Sequence, residues 1–284
     1  MATVRPHASL GLSLCALILL LSCPAPGIAA EEETVHLSFD LPEGKVLHYK
    51  SSMMQEMVAQ GMEVTNSHSM MVEMSLLEIM EDGTSKVALS FSNEDASLFR
   101  DGEMEDYEPD IKLEGKTAYA FVNAKNEVLR AEAASYIPGL SGDEELREMI
   151  EDWFVRLPDA DIVPGTEWRT KIERMGMSRE GEDPEIKGYT DFKLKKIKEK
   201  NGMMIAEIEG KTRIDINKAM YNGVLVAKGE GEIKAKIALD GGYIIECERK
   251  MDVKGKTKGR DPLTGKESES ETAITQYFEC ELKE

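Results

Sequence analysis

The sequence predicts a mainly β protein, a curved antiparallel sheet in the form of an open barrel or half-barrel, carrying one amphipathic α-helix. Three observations predict it. Apolar and polar residues alternate through long stretches, the period of a strand with one buried face. Asp-Gly or Asn-Gly pairs separate such stretches at Asp82-Gly83 and Asn201-Gly202, which suits tight hairpin turns. The period changes to that of a helix only once, over residues 142–156.

The elements begin after a leader. Arg5 and His7 precede the apolar run Leu10 to Leu21, too short to span a bilayer and typical of an export signal occupying residues 1–30. Two readings of "SCPAPGIAA" stay open. In one, a signal peptidase cuts after Ala29 or Ala30, releasing the chain to the periplasm or the exterior. In the other, "LLSC" resembles a lipobox and Cys23 becomes a lipid-modified anchor in the cell envelope, although Leu21 and Pro24 match that pattern poorly. Residues 31–284 are then expected to form a single β-rich domain. Loss of the leader removes Arg5 and no acid, leaving 34 basic against 54 acidic side chains and a formal charge of −20. Such a surface repels nucleic acid and anionic head groups.

Seven methionines lie between Ser52 and Met74. A turn at Gln60-Gly61 sets Leu47 opposite Met74, Tyr49 opposite Val72, Met53 opposite His68 and Met57 opposite Val64. A second turn at Asp82-Gly83, with Met80 opposite Ser85, puts Met70, Val72, Met74, Leu76 and Met80 on the face that also carries Val87, Leu89 and Phe91. The three strands agree on one inner face, so the methionine spacing is that of a sheet's buried surface. Tyr49, Met53, Met57, Met70, Val72, Met74, Leu76, Leu89 and Phe91 are the candidate lining of a ligand cavity. Val46 to Val58 alone would extend about 43 Å, and twisted sheets of such long strands curl.

A third hairpin is expected in "FVNAKNEVLRAE", with Asn126 left-handed at its turn. Ser141 is expected to cap the helix, in which Leu146, Met149, Ile150, Trp153, Phe154 and Leu157 recur at three and four until Pro158. The second half repeats the hairpin style at "KEKNGMM", where Phe192, Leu194 and Ile197 change parity and imply a bulge, and at "ALDGGYIIE". In the last hairpin, pairing Cys247 with Cys280 centres the turn at Leu263-Thr264, inside "GRDPLTGKES". Arg249 and Gln276 interrupt its inner face. Directly opposed cysteines in an exported chain predict a disulfide between Cys247 and Cys280.

"EGKVLHY", the Met-rich strand, "EDGTSKVALSFS", "LPDADIVPGTEW" and "GEGEIKAKIALDGGYIIE" resemble a family of exported bacterial β-rich proteins catalogued as a domain of unknown function, over most of residues 35–283. The shared motifs are turns and core positions, so the resemblance implies a fold and carries no catalytic residue. The outline is also similar to periplasmic lipoprotein carriers, whose open barrels hold acyl chains under a helical lid; that likeness is one of architecture alone.

Catalytic chemistry is not legible. No serine or cysteine stands in a nucleophile setting, "GLSGD" is not a nucleophile elbow, and phosphate loops, the zinc-protease helix motif and paired CxxC spacings are missing. The acidic run "RDGEMEDYEPD" lacks the spacing of a calcium loop. His68 opposite Met53 and beside Met70 is the one arrangement suited to Cu(I). The expected function is non-enzymatic: an exported envelope protein, without cofactor, binding a lipid or other hydrophobic ligand in a Met-lined cavity. The alternatives are a structural or interaction protein with a filled core, or a Cu(I)-binding periplasmic protein. No nucleic-acid partner is expected, and membrane contact only through a lipid-modified Cys23.

Overall fold

The computed structural model describes residues 34–59, 61–172, 185–220, 223–260 and 267–283, and Thr34–Glu284 form one compact unit. The leader with Cys23, Gln60, and the Leu263-Thr264 turn lie outside the described residues.

Twelve strands are described: β1 Val46–Ala59, β2 Met62–Ile79, β3 Ser85–Arg100, β4 Glu103–Glu105, β5 Thr117–Val122, β6 Val128–Ala133, β7 Glu167–Ile172, β8 Glu185–Lys200, β9 Met203–Met220, β10 Gly223–Ala238, β11 Ile244–Arg260 and β12 Glu267–Lys283. They form one curved antiparallel sheet in the order β6-β5-β3-β2-β1-β12-β11-β10-β9-β8-β7, with β4 beside β3 and no closure into a barrel. Most neighbours are joined by local hairpins. The exception is central, where β1 pairs with β12 and Met53 lies opposite Phe278. The two free edges, β6 and β7, are therefore consecutive in the chain, and the segment joining them carries the helix α1, Asp143–Glu151.

The β1–β2 register is the one expected, with Leu47 opposite Met74, Tyr49 opposite Val72, Met53 opposite His68 and Met57 opposite Val64. Asn126 is left-handed at φ 61 in the β5–β6 turn, and Asn201 and Gly202 take φ 54 and 78 between β8 and β9, as a type I′ hairpin requires. The bulge implied by Phe192, Leu194 and Ile197 falls between Leu194 and Lys196. In the β2–β3 hairpin the inner faces agree but the pairing is offset, Met74 facing Leu89 and Val72 facing Phe91, with an irregularity between Leu76 and Glu78. Met80 consequently leaves the ladder. Its N–H donates to the Thr84 carbonyl inside the turn and its side chain is exposed. Asp82 accepts from the Thr84 N–H in that turn, which holds its carboxyl below the usual range.

The helix is shorter than its period suggested. Gly142 stands at the cap position without a side-chain bond, and Ser141 lies one residue earlier, its N–H and hydroxyl both donating to Glu145. After Glu151 the aromatic and β-branched run Trp153-Phe154-Val155 is buried on every side chain. A helix would turn some of that run to solvent, so the chain extends instead.

One core cluster fills the inner face at one end of the strands, joining Val72, Leu89 and Val122 to Phe192, Leu194, Ile208 and Ile237, with Leu146, Ile150 and Trp153 from above. Strands distant in the sheet share this cluster because the sheet curls around it. Leu37, Phe39 and Leu41 join it from the segment before β1. That segment bonds Phe39 N–H to the Ala124 carbonyl and Asp40 N–H to Gly241, linking both halves of the sheet. A smaller cluster, Ile186, Ile214, Ile216, Ala227 and Val253, covers the other end of β8–β11.

Glycines make the tight curl feasible. Across the sheet Gly188 pairs with Ile214, Ile214 with Gly229, and Gly229 with Val253, alternating absent and bulky side chains as small curved sheets do. At Gly231 an added Cβ would sit 2.6 Å from the Lys250 carbonyl oxygen. Gly231→Ala is expected to lower stability by about 1–3 kcal/mol, read as a fall in the urea midpoint.

Cys247 and Cys280 face one another in the expected register, with Val253 opposite Ile274 further along. The expected disulfide, however, is not formed: both are free, buried thiols. Burial raises the pKa of each, that of Cys280 further through its neighbour Cys247, so little thiolate exists to start oxidation. Alkylation is expected to spare both cysteines in the folded protein and to label both in denaturant without reductant, counted by mass.

Candidate functional site

Antiparallel register arranges the inner face as rows running across the strands. In one row Leu194, Ile208, Ala235, Cys247, Cys280, Ser51 and Met70 are successive neighbours, and all but Ser51 are apolar. The next is Trp168, Phe192, Gly210, Ile233, Arg249, Phe278, Met53 and His68. The third is unlike both: Thr170, Thr190, Thr212, Gly231, Met251, Gln276, Gln55 and Asn66. It is a belt of neutral hydrogen-bonding groups between the two apolar clusters.

A half-open cavity of about 570 Å³ lies over these rows, roofed by α1 and the chain that follows it. Its apolar wall includes Met53, Met70, Phe91, Phe192, Ile233 and Phe278, with Met149, Trp153 and Phe154 from the roof. The belt contributes Gln55, Gln276, Thr170, Thr190, Thr212 and Met251. Trp153 stands edge-on to both Tyr49 and Phe278, an arrangement worth about 0.5–1.5 kcal/mol per pair beyond area burial.

Of the residues expected to line a cavity, Met53, Met70 and Phe91 do so. Tyr49, Val72, Met74 and Leu89 lie instead in the close-packed core, each no more than 2% exposed, because Trp153 and the segment before β1 cover that end of the face. Leu76 is half-buried against the same core. Met57 is half-buried beyond the belt and is not on the cavity wall. Tyr49 donates its hydroxyl to the Ile244 carbonyl at 2.8 Å, and burial raises its pKa well above the usual phenol range.

Arg249, an interruption of the pattern when read in sequence, is the clasp between sheet and roof. Its guanidinium donates to Asp152 Oδ1 at 2.8 Å and to the Phe154 carbonyl at 2.9 Å. The ring of Phe278 lies beneath it at 5.8 Å. No spacing motif marks this residue; the only signal was a cation at an inner-face position. The other arginines on the wall are matched as well. Arg147 pairs with Glu144 at 2.6 Å and Arg156 with Glu127 at 3.1 Å. Burial raises the pKa of Glu151, against the pull of Arg147 and Arg156.

His68 lies opposite Met53 as expected, but its Nε2 is 2.7 Å from Glu94 Oε1. Glu94 Oε2 in turn accepts from the Leu113 and Glu114 N–H groups. The imidazole is thus engaged with a carboxylate anchored to the β4–β5 connection. Among the described residues no group of three His, Cys, Asp or Glu side chains is placed to hold a metal ion. In the acidic run, Asp101 accepts from the Glu63 N–H and Glu105 pairs with Arg100.

No family model and no curated protein matches the chain. Among solved structures it is similar to one described as "Lipid-protein interactions in lipovitellin", with a TM-score of 0.52 and 10% identity over 86% of this chain. The chain spans 26% of that protein's length. It is also similar to a DUF1329 family protein from Desulfovibrio piger, with a TM-score of 0.21 and 11% identity, covering 82% of this chain and 85% of that one. At these identities the likeness concerns the fold, and only the lipovitellin superposition is close enough to compare architectures.

Removing the clasp tests its role. Arg249→Met leaves Asp152 and the Phe154 carbonyl without their donor and is expected to cost about 1–3 kcal/mol, measured as a lower urea midpoint. Unchanged stability would show that the roof is held by packing alone.

Proposed function

We propose that this protein is an exported, non-enzymatic binding protein of the cell envelope, taking one lipid-like or other hydrophobic molecule into the cavity between α1 and the inner face of the sheet. The cavity is the observation that carries this reading. Its volume falls within the range of about 300–1,000 Å³ typical of small-molecule sites, and its wall is shared between apolar and polar side chains. Methionine and aromatic side chains adapt to chains of varied shape. The lipovitellin likeness supports a sheet of this architecture, and that protein's description concerns lipid. The leader motivates export.

The unfilled space also weighs against a protein acting only through its surface around a packed core. A Cu(I) site at His68 is disfavoured by the Glu94 contact, which occupies its Nε2.

An alkyl-pyrene, which carries no polar head, is a suitable probe. It is expected to bind the mature protein with a rise in pyrene fluorescence. Ile233→Trp, which places a larger side chain on the cavity wall, is expected to weaken binding about tenfold or more, with folding checked by the far-ultraviolet spectrum. Absence of binding to the native protein, or equal binding by the folded Ile233→Trp variant, overturns the reading.

A further inference from the structure

The cavity wall holds two kinds of polar group in opposite states. Its arginines are already paired by the protein, Arg249 with Asp152 and a carbonyl, Arg147 with Glu144 and Arg156 with Glu127, while Lys250 pairs with Asp252 and the His68 ring is bonded to Glu94; Lys171, exposed on the edge strand β7, has no partner among the described residues. Two of its neutral groups are not paired. The side-chain amides of Gln55 and Gln276 face each other across the central β1–β12 pair, half-buried, with no hydrogen-bond partner among the described residues. Thr190 and Thr212, by contrast, bond to one another at 2.9 Å.

Buried amides are almost always paired, and one left unpaired costs about 1–3 kcal/mol. A hydrocarbon chain drawn over Gln55 and Gln276 would strip them of water and return nothing. An ionised head would need an unpaired counter-charge beside the amides, but Arg249 in the adjacent row is already matched by Asp152, and Lys171 stands on β7 at the other end of the belt. Two neighbouring amides offer donors and acceptors together, which suits a group that is itself both, such as a hydroxyl or an amide. Beside the pair in the adjacent row stand Met53 and Phe278, an apolar surface for the chain attached to such a head.

We propose that the cavity selects an amphiphile with an uncharged, hydrogen-bonding head group of hydroxyl or amide type, the head seated on Gln55 and Gln276 and the chain against Met53, Met70 and Phe278. This rests on the binding function proposed above and names the class of ligand. It assigns the two glutamines a selective role: a donor–acceptor head replaces the water they lose, whereas a carboxylate or a quaternary ammonium cannot satisfy both halves of each amide.

The test is displacement of bound alkyl-pyrene from the full mature chain by three amphiphiles of equal chain length: a monoacylglycerol, the corresponding fatty acid as its anion, and an alkyltrimethylammonium. The monoacylglycerol is expected to compete at concentrations about tenfold lower than either ion. In the Gln55→Met/Gln276→Met double variant its advantage is expected to vanish while the probe, which has no head and meets a more apolar wall, binds at least as tightly. Retained probe binding also reports that the variant is folded; should the pair not fold, Gln55→Met alone is read in the same way, with a smaller loss. An ion competing as well as the monoacylglycerol, or a folded variant keeping the preference, overturns the assignment of the head while leaving the binding function standing. Failure of the probe to bind native protein overturns the binding function and this assignment with it.

Discussion

The pairing of β1 with β12 is the constraint on which the structure depends. Every other long strand is positioned by a hairpin to its sequence neighbour, and hairpins alone would leave two separate meanders. The central seam, with Tyr49 opposite Leu282 and Met53 opposite Phe278, joins them into one sheet and fixes the register of one half against the other. A slip of one residue there would turn all of β12 inside out. A slip of two would keep the faces but break every row, moving Gln276 away from Gln55 and Phe278 away from Met53. Seam contacts between residues 225 positions apart are also costly to form early, since loop closure precedes their gain.

Once the rows align, the inner face becomes a layered surface rather than a uniform core. The apolar clusters at its two ends supply most of the burial that holds the curl. The glycines and threonines between them withhold bulk where the roof passes over, and a cavity remains. Arg249 then connects two levels of the structure. It comes from the sheet, yet its partners are Asp152 and the Phe154 carbonyl just past α1, so the geometry of the roof is referred to the sheet by directional bonds as well as by packing.

Much of this was legible in the sequence where alternation and a turn acted together. The β1–β2 register followed from the parity of Leu47, Tyr49 and Met53 against a Gln-Gly turn, and pairing Cys247 with Cys280 was supported by the breaker-rich loop on which it centred the turn. Local reasoning failed where a bulge intervened, as at Leu76–Glu78, which displaced Met80. It also failed where burial overrode helical period, at Trp153 to Val155. The candidate lining was half legible for a different reason. Parity gives the face on which Tyr49, Val72, Met74 and Leu89 lie, but not which part of that face the roof covers. The neutral belt could not be read as one row, because Gln276 and Gln55 become neighbours only through the β1–β12 pairing, which no turn announces. Arg249 and Gln276 looked like blemishes for the same reason.

An unclosed sheet ends in two strands with unused backbone donors and acceptors, an invitation to polymerise through strand addition. Here those borders are β6 and β7, each only six residues long. Arg130 and Glu132 form an ion pair along the first, and Arg169 on the second is held by Asp191 of the neighbouring strand. An incoming strand would find a short template dressed in matched charge, so the sheet leaves its curl unclosed without presenting long bare borders to copies of itself.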